Sequence, residues 1–392
     1  MTLLCATGDL VLEREDCTEL FGEVRTALDQ ADVLVGHLEV PHTEHRQSSS
    51  SDVPAAAAAP AALDAVAEAG FDILTLAGNH VADFGGVGIS DTRWHCLDRG
   101  MAVTGAGEDL EQAWEPAEVR TPEGTVRVIS VNCVGPPESA AGTQKPGAAS
   151  VQVITHYEPR GANPGGPPAV YTFAEPASLR SFIQRVSEAA QNGPAQGETA
   201  QGRTGSEAPV LVVALHKGLV HQRAQIADYE YEIAYAALDA GAAAVISHHA
   251  HIFKGIEVYR GRPIFHGLGN FVTVTSALSG AETTSAEQRR WAAERQRLFG
   301  FVPDPSMPDY PFHPESRHTG IAALEIRGGA VAGAGLILCR IDHKAQPVPL
   351  TRGQAAEETA SYIRQITAEA GLDTALSWDG DRLRIELEGG TA

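Results

Sequence analysis

Short apolar runs alternate with stretches of helical spacing along most of the chain. Three runs near the start are typical of buried strands: TLLCAT, DVLVG and FDILTLA. The segments that follow or separate them, 16–30, 60–70 and 86–99, have the spacing of helices. Strands that alternate with helices predict an α/β layer architecture in which the strands are largely covered.

The same alternation continues beyond residue 120. Further strands are predicted at VRVISVNC, VLVVALH and AAAVISH, and a helix over 224–242 lies between the last two. After residue 319 the pattern predicts two strands, a helix near 354–370 and a final strand, DRLRIEL. No internal repeat is present in the sequence.

These elements predict one α/β domain over residues 1–350, with the helix and strand of 351–392 packed on it. Three segments interrupt the pattern. Residues 47–60 and 191–208 have the composition of flexible loops, rich in Ser, Ala, Pro or Gly. Residues 280–318 combine a charged helical stretch with an irregular one, and we interpret this segment as a lid or, equally, as a surface excursion that packs on its own aromatics.

Charge excludes several classes of partner. The 392 residues carry 29 Lys and Arg against 50 Asp and Glu, a formal net charge of −21. Such a field opposes nucleic acid and anionic membranes, and it favours a divalent cation. We therefore expect no nucleic-acid partner and no membrane association; the oligomeric state stays open.

The cysteines and the N-terminus bear on location. The five cysteines are scattered without a C-x-x-C pair, which argues against a disulfide framework or a thiolate zinc site. The N-terminal stretch MTLLCATGDLVLERED has no basic region, and its apolar part is too short for a signal peptide. No run approaches eighteen apolar residues. We expect a cytoplasmic protein.

Polar residues that bind metals or transfer protons follow the predicted strands where those strands end. The set is Asp9, His37, Glu39, His42, Asn79, His80, Asp83, His216, His248, His249 and His251. Because ligands of α/β proteins sit at the carboxyl ends of strands, these side chains are expected to share one rim. Carboxylate, amide oxygen and imidazole suit one divalent ion, with Ca²⁺ or Mn²⁺ favoured and Zn²⁺ as an alternative.

The order of the motifs resembles a known family. GD is followed by L-E-x-P, N-H-x-x-D-F-G, H-x-G, H-H-x-H and L-G-N-F, an order similar to that of CapA-type proteins, the poly-γ-glutamate and capsule synthesis family of the calcineurin-like metallophosphatase superfamily. The resemblance covers residues 3 to about 340 and implies a calcineurin-like four-layer α/β/β/α sandwich. It also implies metal ligands at Asp9, Glu39, Asn79, His216, His249 and His251.

The sequence departs from the phosphatase pattern at two motifs. Val11 stands where the superfamily's G-D-x-H has histidine, and the second motif offers Glu39 with His37 in place of asparagine. Two-metal phosphoester hydrolysis needs two ions about 3.5–4 Å apart. With one ligand missing, we expect one dominant ion and proton transfer as the chemistry.

Two acid–base pairs are predicted beside the metal. In the superfamily's phosphatases, the histidine that matches His80 handles a proton. Asp83 follows His80 by three residues, a spacing that lets its carboxylate reach the ring. A carboxylate that accepts one ring N–H fixes the tautomer and raises the basicity of the other nitrogen. Asp9 forms the second pair with an imidazole of HHAH, assigned to His251. Two bases around a metal-held carboxylate suit an epimerase.

The leading prediction is therefore a metal-dependent peptide epimerase. One branch of the family is similar in these parts: the cytoplasmic lasso-peptide epimerases, which invert the C-terminal residue of a ribosomal precursor peptide. That resemblance implies a precursor peptide as the partner. The alternatives are a phosphoesterase, or a capsule-related CapA protein that binds polymer without turnover.

Substrate contacts are assigned to His37, Lys217, Arg290 and Trp291. In the candidate lid, Trp291 and the aromatics at 299–312 are predicted to grip a peptide end while Arg289 or Arg290 faces its carboxylate; the alternative is that these rings are core and the arginines solvated. His266 is predicted to lie beside the site or in the core, and His221 to be structural.

Overall fold

The computed structural model describes residues 1–14, 16–49, 56–158, 164–191, 208–275 and 286–387. Most of the predicted loop at 191–208, and parts of those at 47–60 and 280–318, lie outside these residues.

Twenty strands form the sheets of the described chain. In chain order they are β1 Thr2–Leu12, β2 Val33–Leu38, β3 Ile73–Thr75, β4 Ala102–Thr104, β5 Ala106–Gly107, β6 Ala117–Thr121, β7 Gly124–Asn132, β8 Gly147–Ala148, β9 Val153–Glu158, β10 Ala169–Ala174, β11 Val210–Lys217, β12 Ala244–His249, β13 Ile256–Tyr259, β14 Arg262–Phe265, β15 Asn270–Val274, β16 His318–Arg327, β17 Ala330–Ile341, β18 Pro347–Pro349, β19 Leu376–Asp379 and β20 Arg382–Ile385.

Eight helices accompany them in the same residues. They are α1 Arg25–Leu28, α2 Ala62–Glu68, α3 Gly85–Asp98, α4 Leu110–Ala113, α5 Pro176–Ala190, α6 Asp228–Asp239, α7 Ala286–Phe299 and α8 Gln354–Glu369.

Two large sheets carry the fold. The ten-stranded sheet runs β19-β20-β17-β16-β1-β2-β3-β4, with β15 also paired to β1 and β18 to β17. The six-stranded sheet runs β13-β14-β12-β11-β7-β6. Strands β1, β2, β3 and β4 are parallel, as are β7, β11, β12 and β14.

The two sheets pack face to face. One apolar cluster combines Leu4 and Val35 of the ten-stranded sheet with Val128, Val212 and Ile246 of the other. A second cluster lies under α2 and α3, and a third under α5 and α6, so a helical layer covers the outer face of each sheet. The predicted four-layer α/β/β/α sandwich is confirmed.

The register brings the carboxyl ends of the parallel strands together. Asp9 on β1 pairs with His37 of β2 and with Asn270 of β15, and His216 of β11 pairs with His248 of β12. The rings of His37 and His248 stack across the two sheets with centroids 4.6 Å apart. The rims of the two sheets therefore meet at one place.

Two predicted elements differ from the structure. The helix predicted over 16–30 is a 3₁₀ turn at Thr18–Phe21 followed by the four-residue α1, since glycine at position 22 separates the two halves. The predicted final strand is the second half of a hairpin, β19–β20, which extends the ten-stranded sheet through β17. Among the described residues no helix is long and apolar enough to cross a membrane.

Candidate metal centre

Two buried carboxylates lie at the centre of the rim. Asp9 is completely buried on β1, and Glu39 is 3% exposed directly after β2. None of their four oxygens receives a hydrogen bond of normal geometry from the described residues. Burial raises the pKa of both carboxyls well above their ordinary values, and for Glu39 the neighbouring charges of Asp9 and Asp83 add to the rise. A cation would relieve this cost.

Imidazoles complete two groups that share Glu39. Asp9, Glu39 and His251 form one, and His37, Glu39 and His216 form the other; the ligand atoms of each group lie within 4.8 Å of one another. Oε1 of Glu39 is 3.6 Å from His251 Nε2 and 3.9 Å from His216 Nε2. Unbonded carboxylate oxygens facing imidazole nitrogens in a buried pocket fit a divalent cation.

His216 also collects two further predicted ligands. Its Nε2 lies 2.8 Å from Oδ1 of Asn79 and 3.1 Å from Nδ1 of His249. Gly78 allows this approach, because a Cβ there would come within 3.3 Å of the His216 ring. The structure thus brings all six predicted ligands together, with Asn79 and His249 beside His216 and outside the two shared groups.

A hydrogen-bond chain orients His251. The Tyr310 hydroxyl donates to the Ser316 carbonyl at 2.9 Å, so it accepts from Nδ2 of Asn270 at 3.0 Å. That turns Oδ1 of Asn270 toward Nδ1 of His251, 2.9 Å away, and places the ring proton on Nδ1. Nε2 of His251 is thereby left to face Glu39, as a metal ligand requires.

The histidine loop is held in an unfavourable backbone conformation. His249 and His251 have φ values of 87° and 54°, in the left-handed region that costs a non-glycine residue about 1–3 kcal/mol. Close packing nearby is equally restrictive, since a Cβ on Gly8 would lie 2.0 Å from the carbonyl oxygen of Gly269. Backbone strain of this kind concentrates at functional sites.

Four imidazoles of the rim, those of His37, His216, His248 and His249, are held neutral. Burial lowers the pKa of His37 and His216 well below the ordinary value, with neighbouring imidazoles adding to the effect. Burial also lowers the pKa of His248 to about 4 and that of His249 to about 3. Neutral imidazole is the form that binds metals.

His80 and Asp83 form a buried pair next to the ligands. Nδ1 of His80 lies 2.8 Å from Oδ2 of Asp83, and the aspartate is 3% exposed. The carboxylate fixes the ring with Nε2 available for proton exchange. A second imidazole–carboxylate contact joins Nδ1 of His251 to Oδ2 of Asp9 at 3.4 Å.

Two residues assigned to substrate contact are placed elsewhere. His37 is completely buried, with Nδ1 3.0 Å from Oγ1 of Thr75, and belongs to a ligand group. Lys217 is also completely buried and pairs with Glu230 at 2.8 Å, because alternation along β11 directs it away from His216. Neither side chain can reach a substrate from these positions.

The candidate lid contributes aromatic rings to the rim. The ring of Phe312 lies 5.0 Å from that of His251. The ring centroids of Phe299 and Phe301 lie 5.1 and 4.8 Å from that of His221. His221, predicted to be structural, lies with its ring 6.0 Å from that of His251. His221 lies in the turn after β11. Because a turn has no hydrophobic periodicity, the sequence did not indicate this position beside His251.

The remaining predicted contacts lie on α7. Arg290 is exposed on this helix, and the side chain of Trp291 lies outside the described residues. Tyr310 is a residue whose role sequence reasoning missed: it is buried and orients His251 through Asn270. The signal was present in L-G-N-F, which places an asparagine at the start of a strand beside Asp9.

The chain is similar to proteins named for capsule synthesis. The family model described as bacterial capsule synthesis protein PGA_cap matches residues 3–275. The chain is 25% identical over 264 residues to the PGA biosynthesis protein CapA of Bacillus subtilis (strain 168), covering 67% of this chain and 58% of that protein. It is 25% identical over 270 residues to the capsule biosynthesis protein CapA of Bacillus anthracis, covering 67% and 55%.

Among solved structures, the chain is similar to the calcineurin-like phosphoesterase YfkN from Bacillus subtilis, with a TM-score of 0.32 and 13% identity over 94% of this chain and 97% of that one. The chain spans less than two thirds of the length of the two capsule-synthesis relatives.

Proposed function

Because the chain belongs to the bacterial capsule synthesis protein (PGA_cap) family, we propose that it is a metal-dependent hydrolase of an amide-linked chain that bears free carboxylates. Poly-γ-glutamate, the polymer for which CapA-type proteins are named, is of this class. The observation that carries the proposal is the buried Glu39 carboxylate, shared by two ligand groups beside the His80–Asp83 pair.

Five residues of the site would hold the metal. Asp9, Glu39, His251, His37 and His216 would hold one or two divalent ions, with the carboxylates as the charged ligands. A bound divalent ion supplies Lewis-acid chemistry, polarising a carbonyl and lowering the pKa of water. The identity of that ion is part of the proposal, with Mn²⁺, Ca²⁺ and Zn²⁺ as the candidates.

His80 is assigned the proton transfer. In amide hydrolysis a C–O bond forms to water, the C–N bond breaks, and the leaving nitrogen takes up a proton. With Nδ1 donating to Asp83, Nε2 of His80 takes the proton that the attacking water gives up and passes it to the leaving nitrogen. Asp83 stabilises the imidazolium before the transfer, as a carboxylate does in other His–Asp pairs.

Charge indicates how such a substrate binds. A net charge of −21 repels a polyanion along most of its length. The carboxylate nearest the reacting bond is therefore the one that the centre engages, and the distal ones stay in solvent.

Cα epimerisation of a peptide's C-terminal residue is the second candidate. It is favoured by the second imidazole–carboxylate contact, His251 with Asp9 at 3.4 Å, on a different strand end from His80. In this candidate His37, Glu39 and His216 would hold the ion, and Nε2 of His251 would serve as the second base. The ring of Phe312 near His251 and the rings of Phe299 and Phe301 near His221 would accept an apolar C-terminal residue. In this chemistry one base removes the Cα proton and the other returns one to the opposite face. For this candidate we propose a precursor peptide as the substrate, as in the lasso-peptide branch, and a cytoplasmic location.

One experiment separates the candidates. Purified protein is incubated in D₂O with a γ-glutamyl oligomer, with a peptide ending in an aromatic residue, and with an aryl phosphate, each with Mn²⁺ or with EDTA. Metal-dependent shortening of the oligomer supports the hydrolase. One deuterium gained without shortening, and both configurations at the C-terminal residue, support the epimerase instead.

The remaining outcomes are equally informative. Release of phosphate alone would make the protein a phosphoesterase. Metal binding without any turnover would make it a polymer-binding module and contradict both candidates. His80→Ala tests the assigned proton-transfer residue, and His343→Ala, at an exposed histidine outside the ligand groups, is the matched control.

A further inference from the structure

Behind the metal centre lies a second cluster of polar and charged side chains, most of them buried. Lys217, Glu230 and Lys254 are each completely buried, and with His266 and the half-buried Glu257 they form one connected network. None of the predicted catalytic steps uses these groups. Burying isolated charges is costly, so a network of this kind needs a compensating role.

Glu230 is the centre of the network. Its Oε2 accepts from Nζ of Lys217 at 2.8 Å, and its Oε1 accepts from the backbone N–H of Ala227 at 2.9 Å. Nζ of Lys254 lies 3.9 Å from the same Oε1 and donates to the carbonyl of Gln225 at 2.6 Å. Together these contacts hold the first turn of α6 against two other segments.

The turn after β11 is shaped around Glu230. Gly218 has a φ of 108°, and a Cβ there would lie 2.9 Å from Oε2 of Glu230. Its backbone N–H donates to the hydroxyl of Tyr229 at 2.7 Å. Only glycine permits this approach, so the turn and the carboxylate fit each other.

A relay extends the network to the loop before β15. Nζ of Lys217 lies 3.2 Å from Nδ1 of His266, so that nitrogen accepts and Nε2 carries the proton. Nε2 of His266 then donates to Glu257 at 2.8 Å. The loop from His266 leads to Asn270, which orients His251.

Each arm of the network ends next to a residue of the metal centre. Lys217 directly follows His216, Lys254 lies three residues after His251, and His266 lies four residues before Asn270. Three segments that carry ligands or their supports therefore converge on Glu230. The backbone ties Lys254 N–H to the carbonyl of Gly267 at 2.9 Å, which joins two of these segments directly.

We propose that Glu230 and its two lysines are positioning residues: they fix the strand ends that carry His216, His251 and Asn270 in the geometry that binds the metal. This inference rests on the proposed metal centre and adds to it the device that holds the ligands in register. Apolar residues of similar size would fill the same space, but they would not set the direction of three separate turns.

The test measures metal affinity and folding separately. Binding of Mn²⁺ is followed by calorimetry, and thermal unfolding is followed in EDTA, for the wild type, for Glu230→Gln and for the apolar triple variant Lys217→Met, Glu230→Leu, Lys254→Met. Glu230→Gln is expected to weaken Mn²⁺ binding about 10- to 100-fold, as loss of other supporting contacts to ligands does. The triple variant is expected to recover thermal stability without recovering affinity.

A distant buried ion pair provides the control. Arg127 is 6% exposed and bonds to Glu118 and to the carbonyls of Ala189 and Gln191. Arg127→Met is expected to lower the unfolding temperature while leaving Mn²⁺ affinity within about twofold.

Two results would overturn the inference. A triple variant that recovers affinity along with stability, or a Glu230→Gln protein that binds Mn²⁺ as the wild type does, would make the network merely structural while leaving the metal centre intact. A wild-type protein that binds no Mn²⁺, Ca²⁺ or Zn²⁺ would instead contradict the proposed function and this inference together.

Discussion

Glu39→Gln should stabilise the metal-free protein and remove most of the stabilisation that a bound metal gives. In the metal-free protein Glu39 and Asp9 are two buried carboxylates whose oxygens lie within 4.8 Å of each other. At that distance and an effective dielectric constant of about 20, repulsion between two full charges is about 3 kcal/mol. Proton uptake relieves part of it, because the pKa of each carboxyl is raised, so about 3 kcal/mol is the ceiling.

The effect on melting temperature follows from the size of the chain. For 392 residues the unfolding entropy is about 0.8 kcal/mol per degree. Removing the Glu39 charge should therefore raise the melting temperature by up to about 4 °C in EDTA. Conversely, a metal at 100 times its Kd stabilises the wild type by about 2.7 kcal/mol, or about 3 °C, and the variant should lose most of this gain.

Differential scanning fluorimetry at pH 8 with EDTA or Mn²⁺ measures both shifts. Glu44→Gln is the control, since this carboxylate is exposed and pairs with Arg46. If Glu39→Gln melts below the wild type in EDTA, the two carboxylates are not in repulsion and the inferred cation site is wrong. An undiminished Mn²⁺ shift in the variant would refute Glu39 as the shared ligand.

Three further predictions concern proton transfer, pH and salt. His80→Ala should lower kcat about 10²- to 10⁴-fold, and Asp83→Asn should lower kcat by a smaller factor. Calorimetry should show that both variants bind Mn²⁺ as tightly as the wild type. A loss of Mn²⁺ affinity would instead identify the pair as metal ligands. Burial lowers the pKa of His42 to about 4, so the unfolded state binds more protons between about pH 6.5 and 4 and stability falls as the pH drops through that window. Urea titrations at pH 7 and 4.5 should show that this loss is about 2 kcal/mol smaller in His42→Asn, and an equal loss would contradict the shift. Because the net charge of the chain is −21, salt should screen its repulsion of a polyanionic substrate. Raising NaCl from about 50 to 200 mM should therefore lower KM severalfold for a γ-glutamyl oligomer and barely change KM for a single-carboxylate peptide. Equal effects on the two substrates would exclude charge repulsion as the cause.

The strand ends were predictable because they combine two local signals. An apolar run predicts the strand, and the polar residue that follows it falls at the carboxyl end. The sequence alone therefore predicts that Asp9, His216 and His249 share one rim, as the strand pairing shows. The parallel register of β1 with β2 then brings Glu39 beside Asp9 without any further assumption.

What the sequence did not show were contacts that depend on the direction of a side chain or on pairing between distant segments. The prediction that Lys217 meets a substrate was wrong because its strand is covered on both faces, and alternation turns the lysine toward α6. The prediction that His37 contacts a substrate also differs from the structure. His37 is buried because its ring stacks against that of His248 from the other sheet, a contact that no local pattern shows. Tyr310 reaches Asn270 across 40 residues, a distance that no local pattern spans.

The number of ions stays a prediction. The absence of a histidine at Val11 predicts one dominant ion, and the structure places two ligand groups that share Glu39. Sequence motifs show which ligands are missing, but only packing shows that His37 and His251 both belong to groups around the same carboxylate.

The most direct test of the central claim is anomalous diffraction at the manganese edge from crystals grown with Mn²⁺. We expect a peak bonded to an oxygen of Glu39, with Asp9 and His251 or His37 and His216 as its other protein ligands. An ordered protein without a peak there, or with a peak that does not include Glu39, would contradict the metal centre on which the proposed function depends.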